Sequence, residues 1–127
     1  MRILASAALA VSVISAPANS AIVRDYDSSL FLGLQMRNEP IVLFVTDGTC
    51  ETCAEADRNI RSIASTRGYD RVHVLKIDIR KQKWAVRGLG IQSSSTLIGF
   101  HGFRERQRLA NEADLKKVSA VFASALR

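Results

Sequence analysis

Residues 41–53 read IVLFVTDGTCETC and carry the strongest structural signal in the chain. The first five residues are an apolar run of strand length with β-branched side chains, and Asp47-Gly48 then marks a turn. A helical pattern follows Thr49, which is the predicted N-cap. The predicted apolar stripe of this helix comprises Cys53, Ala56, Ile60, Ile63 and Ala64. The sequence therefore predicts that a buried strand gives way to a helix at Cys50.

Cys50 and Cys53 are the only cysteines in the sequence. A thiol in the first turn of a helix lies near unpaired backbone N–H groups and the positive end of the helix dipole, which stabilise a thiolate. Such settings lower the pKa of a cysteine from its free value of about 8.5. A structural disulfide across so short a loop would add little stability, because stabilisation grows with loop length. The spacing therefore favours thiol chemistry over a structural crosslink.

Residues 1–20 have the pattern of a cleavable secretory signal peptide. One arginine precedes an apolar run over residues 3–14, and small residues follow, with cleavage expected after Ala18 or Ser20. The apolar run is shorter than a stable membrane span, although an uncleaved anchor is the alternative. We therefore expect residues 21–127 to form one domain without a membrane span, periplasmic or secreted, where disulfides persist.

The chain has 127 residues and a net charge of +6, with no nucleic-acid-binding motif beside the positive charge. We expect no nucleic-acid partner, and a monomer. By the two-residue period of a strand, Arg104, Arg106 and Arg108 are predicted on one side of the last strand. We interpret them as charges that protect a sheet edge from unwanted pairing. Docking of an acidic partner is the alternative.

Strand and helix patterns alternate along the rest of the chain. The predicted elements are a strand within 21–26, a helix capped by Asp27, strand 41–46, the Cys50 helix, strand 72–79, a short helix over 81–87, strand 96–100, a hairpin turn at His101-Gly102, strand 103–109 and a helix capped by Asn111. This order predicts an α/β fold with a central mixed sheet flanked by helices on both faces. Trp84 is predicted in the core, and His73 is interpreted as a structural histidine.

Three segments resemble the thioredoxin-fold family. They are Phe44-Val45 leading into Cys50-Glu51-Thr52-Cys53, then Leu75-Lys76-Ile77-Asp78, and Gly90-Ile91 followed by Thr96-Leu97-Ile98-Gly99-Phe100. The resemblance extends over nearly all of residues 21–127 and implies a thioredoxin-like dithiol–disulfide oxidoreductase that needs no cofactor. It implies that Cys50 is the exposed attacking thiolate and Cys53 the buried resolving thiol. The implied partners are protein thiols or disulfides.

Four positions depart from the family pattern. Ser95 replaces the cis-proline, and because a non-proline cis bond costs about 2.5–4 kcal/mol we expect a trans peptide there and a rearranged loop. Thr49 replaces the family's tryptophan, and Glu51-Thr52 replaces its Gly-Pro. Phe44 replaces the buried acid beneath the second cysteine, so deprotonation of that thiol lacks its usual helper. The departures favour a specialised relative with a specific partner.

A polar loop at residues 93–95 is predicted to lie beside Cys50. In the functional interpretation it donates hydrogen bonds to the thiolate and presents backbone groups to an extended substrate. In the alternative interpretation it is only a flexible polar loop. The candidate substrate-binding residues are Thr49, Glu51, Thr52, Ser94, Ser95 and Thr96.

A soft-metal site is the rival interpretation of the two cysteines. Two thiolates at this spacing are half of a copper, zinc or iron–sulfur site. Ser95 also removes the proline that is thought to shield the family's dithiol from metals. Against this, no second Cys-X-X-Cys occurs, and His73 and His101 lack the spacing of a zinc finger, so no metal ligand is assigned. A non-catalytic thioredoxin-like adaptor is a third interpretation.

Overall fold

The computed structural model describes residues 3–12 and 23–127. Residues 3–12 are exposed and contain neither helix nor strand. The rest of the predicted signal peptide, and the start of the predicted first strand at residues 21–22, lie outside the described residues. Within those residues, no helix combines the length and the apolar character needed to cross a membrane.

In residues 23–127, five strands and four helices follow one another in the predicted order. They are β1 (Val23–Asp25), α1 (Ser28–Met36), β2 (Pro40–Thr46), α2 (Glu51–Ala64), β3 (His73–Asp78), α3 (Lys83–Gly88), β4 (Thr96–His101), β5 (Arg104–Ala110) and α4 (Leu115–Ala125). Asp27 caps α1 as predicted, since its carboxylate accepts a hydrogen bond from the Leu30 N–H at 2.8 Å.

The strands form one mixed sheet in the order β1-β3-β2-β4-β5. β3 pairs in parallel with both β1 and β2, whereas β4 pairs antiparallel with β2 and β5. The carboxyl ends of the three parallel strands therefore meet at one edge of the sheet, and the chain leaves β2 there to reach the cysteines. The predicted mixed sheet is confirmed.

Helices cover both faces of the sheet, as predicted. One core contains the apolar faces of α2 and α4, and the other contains those of α1 and α3. All five residues of the predicted α2 stripe are buried. In α4, Val118, Phe122 and Ala125 are buried as predicted, whereas Leu115 at the helix start is 49% exposed. β2 lies between the two cores, and each of its seven residues is buried.

The predicted N-cap of the last helix is wrong. α4 starts at Leu115 and is capped by Asp114, whose carboxylate accepts a hydrogen bond from the Lys117 N–H at 3.3 Å. Asn111 instead has a left-handed φ of 57°, which asparagine tolerates better than most residues. Its N–H donates to the Ser95 carbonyl at 3.2 Å, so Asn111 closes the end of the β4–β5 hairpin.

Trp84 is not a core residue, contrary to the prediction. Its side chain is 83% exposed, and α3 contains no buried residue. The helix is only six residues long and contacts its core through partly buried Val86, with Leu89 just beyond its end. The indole ring instead lies beneath the Arg87 guanidinium, at 5.6 Å, which is within cation–π range.

The three arginines of β5 do not share one side of the strand. β5 is an edge strand as predicted, but Glu105 and Gln107 pair with adjacent residues of β4, which leaves Arg106 unpaired in a β-bulge. The bulge interrupts the two-residue period. Arg108 therefore points to the α3 side and donates to the two carbonyls that follow α3, at 2.8 and 3.2 Å, whereas Arg104 and Arg106 line a cavity elsewhere.

Gly99 is the point at which β4 approaches α4 most closely. A Cβ at this position would lie 2.6 Å from Ser124 Oγ and 2.8 Å from the Val121 carbonyl oxygen. Gly99→Ala should therefore lower the free energy of unfolding by about 1–3 kcal/mol through overpacking, measured by urea denaturation. Gly88→Ala is the matched control, because a Cβ there meets no atom within 4 Å. Equal stability of the two variants would contradict the close packing of β4 on α4.

Candidate redox site

Asp47 organises the loop that carries the chain from β2 to the first cysteine. Its Oδ1 accepts hydrogen bonds from the Thr49 N–H at 2.8 Å, the Cys50 N–H at 2.8 Å and the Thr49 hydroxyl at 3.1 Å. These bonds, led by the one from the Thr49 N–H, lower the pKa of the Asp47 carboxyl below its ordinary value. The loop is therefore held by an ionised carboxylate at neutral pH.

The N-cap of α2 is Cys50 and not Thr49, which corrects the prediction. The Thr49 hydroxyl is bonded to Asp47, whereas the Sγ atom of Cys50 accepts a hydrogen bond from the Cys53 N–H at 3.0 Å. Cys50 therefore precedes the first helical residue instead of lying within the first turn. Its sulfur accepts a backbone hydrogen bond at the start of the helix, and the stabilisation of a thiolate there stays a prediction.

Cys50 and Cys53 are joined in a disulfide. Cys50 is partly exposed, whereas Cys53 is only 4% exposed and belongs to the core between the sheet, α2 and α4. The two sulfurs thus have the outer and inner positions that the resemblance implies for attacking and resolving thiols. Between them, Glu51 is exposed and Thr52 is half-buried.

A cavity of about 220 Å³ opens on the disulfide. It is lined by Phe44, Thr46, Gly48, Thr49, Cys50, Cys53, Ala54, Asp57 and Lys76. A second cavity, of about 400 Å³, shares Thr46, Gly48 and Lys76 with the first and is also lined by Asp25, Asp78, Lys81 and Gln82. The disulfide therefore lies beside a charged concave surface at the carboxyl ends of the parallel strands. Sequence reasoning did not predict this surface.

Asp57 supplies a carboxylate to the disulfide cavity, although the family's buried acid is absent. Phe44, which occupies the position of that acid, is 1% exposed and packs in the same core as Cys53. Asp57 Oδ1 lies 3.9 Å from Lys76 Nζ, and its Oδ2 lies 2.9 Å from Arg61 Nε. Sequence reasoning missed Asp57, although its spacing of four residues after Cys53 places both side chains on one helix face.

Ser95 has a trans peptide bond and a left-handed φ of 59°, as the described residues contain no cis bond. The expectation of a trans peptide is confirmed. A proline ring fixes φ near −65°, so proline is incompatible with this conformation. The backbone of Ser95 joins two strands, since its N–H donates to the Val45 carbonyl at 2.8 Å and its carbonyl accepts from Asn111 at 3.2 Å.

The Ser95 side chain is buried, and its hydroxyl has no hydrogen-bond partner among the described residues. The Thr96 hydroxyl donates to the Ser93 carbonyl at 2.8 Å, and Ser93 and Thr96 line a different cavity from that of the cysteines. Ser94 is half-buried. No hydrogen bond joins these loop residues to Cys50 within the described structure, and their role in substrate binding stays a prediction.

The two cysteines have one further polar neighbour that could bind a metal. Ligand atoms of Asp47, Cys50 and Cys53 all lie within 4.8 Å of one another. Sequence reasoning assigned no metal ligand and did not consider Asp47. Both ring nitrogens of His73 face other partners. Arg24 donates to its Nδ1 at 2.8 Å, and a Glu39 carboxylate oxygen lies 3.7 Å from its Nε2. Burial lowers the pKa of His73, consistent with a structural role.

Comparison with known proteins identifies the fold. No protein-family model matches the chain, and no curated protein matches it in sequence. Among solved structures, Trxlp from Edwardsiella tarda superposes with a TM-score of 0.76 at 22% identity, over 80% of this chain and 98% of that one. Thioredoxin from Trypanosoma brucei brucei gives 0.71 at 16% identity, over 85% and 93%.

Oxidised thioredoxin O2 from Arabidopsis thaliana gives a TM-score of 0.68 at 20% identity, over 83% of this chain and 93% of that one. These similarities confirm the predicted architecture, a mixed five-stranded sheet flanked by helices on both faces. The chain therefore has the thioredoxin fold, with a Cys50–Cys53 pair whose position supports thiol–disulfide exchange in general.

Proposed function

We propose that this chain is an exported thiol–disulfide oxidoreductase that acts on a specific protein partner. The observation that carries the proposal is the disulfide between a partly exposed Cys50 and a buried Cys53 at the start of α2. An outer sulfur that a partner can reach, and an inner one that resolves the intermediate, are the requirements of thiol–disulfide exchange.

The proposed reaction proceeds through a mixed disulfide. In the reducing direction, the Cys50 thiolate attacks one sulfur of the partner disulfide and displaces the other as a thiolate. Cys53 loses its proton and attacks the Cys50 sulfur, which releases the second partner thiolate and forms the Cys50–Cys53 disulfide. Two electrons thereby pass from the chain to its partner. The reverse sequence oxidises a partner dithiol, and the reduction potential of the pair determines the direction.

Two groups support the protonation changes that this sequence requires. The Cys53 N–H, 3.0 Å from the Cys50 Sγ, would donate to a Cys50 thiolate. Asp57 lines the cavity on which Cys53 opens, and its side chain is 31% exposed, which supports a role for its carboxylate in accepting the Cys53 proton. Asp57 would thus replace the missing family acid.

Three features favour a specific partner over general disulfide exchange. Thr49 is exposed in place of the family's tryptophan, and the buried Ser95 hydroxyl is an unused hydrogen-bond donor in place of proline. The adjoining cavity carries both acidic and basic side chains, including Asp25 and Lys81, which suit a partner of complementary charge. Residues 1–20, with the pattern of a signal peptide, support export to the periplasm or the exterior.

Cys53→Ser tests the reaction. The variant can form the mixed disulfide but cannot resolve it. A non-reducing gel should therefore show a covalent complex with the partner, which mass spectrometry identifies. Cys50→Ser is the matched control and should trap nothing, because the attacking sulfur is missing. The mass of the trapped chain also gives its N terminus, expected after Ala18 or Ser20.

Two results would contradict the proposal. The first is a wild-type dithiol that neither reduces nor oxidises any protein or model disulfide and remains inert in a redox buffer. The second is a Cys50→Ser variant that retains the biological role of the protein, which would favour the adaptor interpretation. A mature chain that retains residues 1–20 would contradict cleavage but not the chemistry.

Asp57→Asn tests the proton acceptor. In single-turnover experiments, resolution of the mixed disulfide should slow by about a hundredfold, the lower end of general-base effects. A purely electrostatic effect has the opposite sign, because removal of a negative charge favours the Cys53 thiolate. Glu55→Gln removes a charge from the exposed face of the same helix and should leave the rate unchanged. Faster resolution in Asp57→Asn would exclude the proton-acceptor role.

Soft-metal binding is the second candidate function, and the position of Asp47 favours it. A carboxylate oxygen and two thiolates within 4.8 Å give three ligands for a zinc ion, which commonly takes four. Only the reduced dithiol can bind, because both sulfurs are used in the disulfide. A metal would therefore compete with oxidation of the pair.

Anaerobic zinc titration of the reduced protein separates the two functions. If the site is a metal site, zinc should bind stoichiometrically, and Asp47→Asn should weaken the affinity by about tenfold or more, as expected for loss of a charged ligand. Asp70→Asn is the control, because it changes another half-buried loop carboxylate that accepts a backbone hydrogen bond, here from the Gly68 N–H. Substoichiometric zinc and copper in both monomer and dimer fractions would exclude metal binding.

A further inference from the structure

A basic cavity lies at the opposite end of the sheet from the disulfide. The disulfide follows the carboxyl end of β2, whereas this cavity lies near the amino end, where Pro40 pairs with His101. Its volume is about 490 Å³, within the range of about 300–1,000 Å³ that is typical of ligand pockets. It is lined by Asn38, His101, Phe103, Arg104, Arg106 and Arg127.

Three arginines line this basic cavity, and no aspartate or glutamate side chain does. Among the described residues, none of Arg104, Arg106 and Arg127 takes part in an ion pair. Arg108 on the same strand differs, since its guanidinium lies 2.6 Å from Glu105. The cavity thus concentrates positive charge that the chain itself does not neutralise.

The β-bulge separates Arg108 from the other two arginines of β5. Without it, a strict two-residue period would place Arg108 on the same face as Arg104 and Arg106. Because Arg106 is the unpaired residue of the bulge, the period is interrupted, and only Arg104 and Arg106 meet Arg127 at the end of α4. Charges at any position along an edge strand can protect it from unwanted pairing. Edge protection therefore does not explain why three arginines line one cavity.

The floor of the cavity is held in place. His101 Nδ1 donates to the Ala125 carbonyl at 2.8 Å, which leaves its Nε2 to accept from the Asn38 amide at 3.2 Å. The hairpin turn is closed by Gly102, where a Cβ would collide with the Asn38 side chain. Phe103, the other turn residue, is 63% exposed at the rim. The site therefore combines fixed polar groups, three arginine side chains and one apolar ring.

We propose that this cavity docks an acidic peptide segment of a protein partner, one that carries two or more carboxylates next to an apolar side chain. Planar guanidinium groups match carboxylates in a bidentate geometry, and Phe103 offers an apolar contact beside them. The concave shape suits a peptide side chain better than the flat surface of an anionic membrane. A nucleic-acid backbone would require cations in a row instead of around a cavity.

This docking function is independent of the proposed redox chemistry. None of the lining residues contacts the disulfide cavity, and the peptide needs no thiol. A Cys50→Ser/Cys53→Ser variant should therefore bind the peptide as wild type does, so that failure of the redox proposal and failure of this one are distinguishable.

The test is fluorescence anisotropy with the full chain and a labelled peptide, Gly-Glu-Glu-Phe-Glu-Glu-Gly. Wild type should bind the peptide, more weakly as salt rises. Arg104→Gln/Arg106→Gln/Arg127→Gln should bind about tenfold more weakly, because this variant loses three exposed ion pairs with the peptide. The matched control is Arg58→Gln/Arg67→Gln/Arg71→Gln, which removes the same charge from exposed arginines outside the cavity and should bind within about twofold of wild type.

Each of three results would overturn the proposal. The first is equal binding by wild type and the cavity variant, or an equal loss in both triple variants, which would indicate net charge alone. The second is equal binding of a peptide with Gln in place of each Glu. The third is arginine-dependent binding to phosphatidylglycerol vesicles without peptide binding, which would indicate a membrane surface.

Discussion

The burial of β2 between β3 and β4 fixes where the chemistry of this protein takes place. Every residue of the strand is buried, with hydrogen-bonded neighbours on both sides and a helical layer on each face. Each large apolar side chain of the strand contributes about 1.5–3 kcal/mol by leaving water, so a shift of register would be costly. The register of β2 therefore fixes where its carboxyl end lies. It thereby also fixes where the loop to the two cysteines begins.

The loop between β2 and α2 positions the Cys50 sulfur at the start of the helix. Asp47 accepts three hydrogen bonds, two of them from Thr49. Cys50, and not Thr49, is the N-cap of α2. The sulfur thereby replaces the side-chain oxygen that caps most helices. In the disulfide state this sulfur accepts a hydrogen bond from the Cys53 N–H, the same donor that a Cys50 thiolate would need.

The features that sequence predicted well are those set by periodic burial. The apolar run of β2 and the stripe from Cys53 to Ala64 specify their elements because each must face a core. The errors occur where the predicted capping residue is engaged in another hydrogen bond: the Thr49 hydroxyl donates to Asp47, two residues earlier, and Asn111 donates to Ser95 across the hairpin instead of capping α4. The bulge at Arg106 could not be read from an alternating sequence, and the Asp57–Lys76 pair required knowledge of which strand lies beneath α2.

The left-handed backbone of Ser95 limits which residues this position can accept. A position with positive φ cannot accept proline without rebuilding the segment around it, since the ring fixes φ at negative values. A proline at this position would also remove the Ser95 N–H that donates to the Val45 carbonyl, so the loop would lose its backbone hydrogen bond to β2.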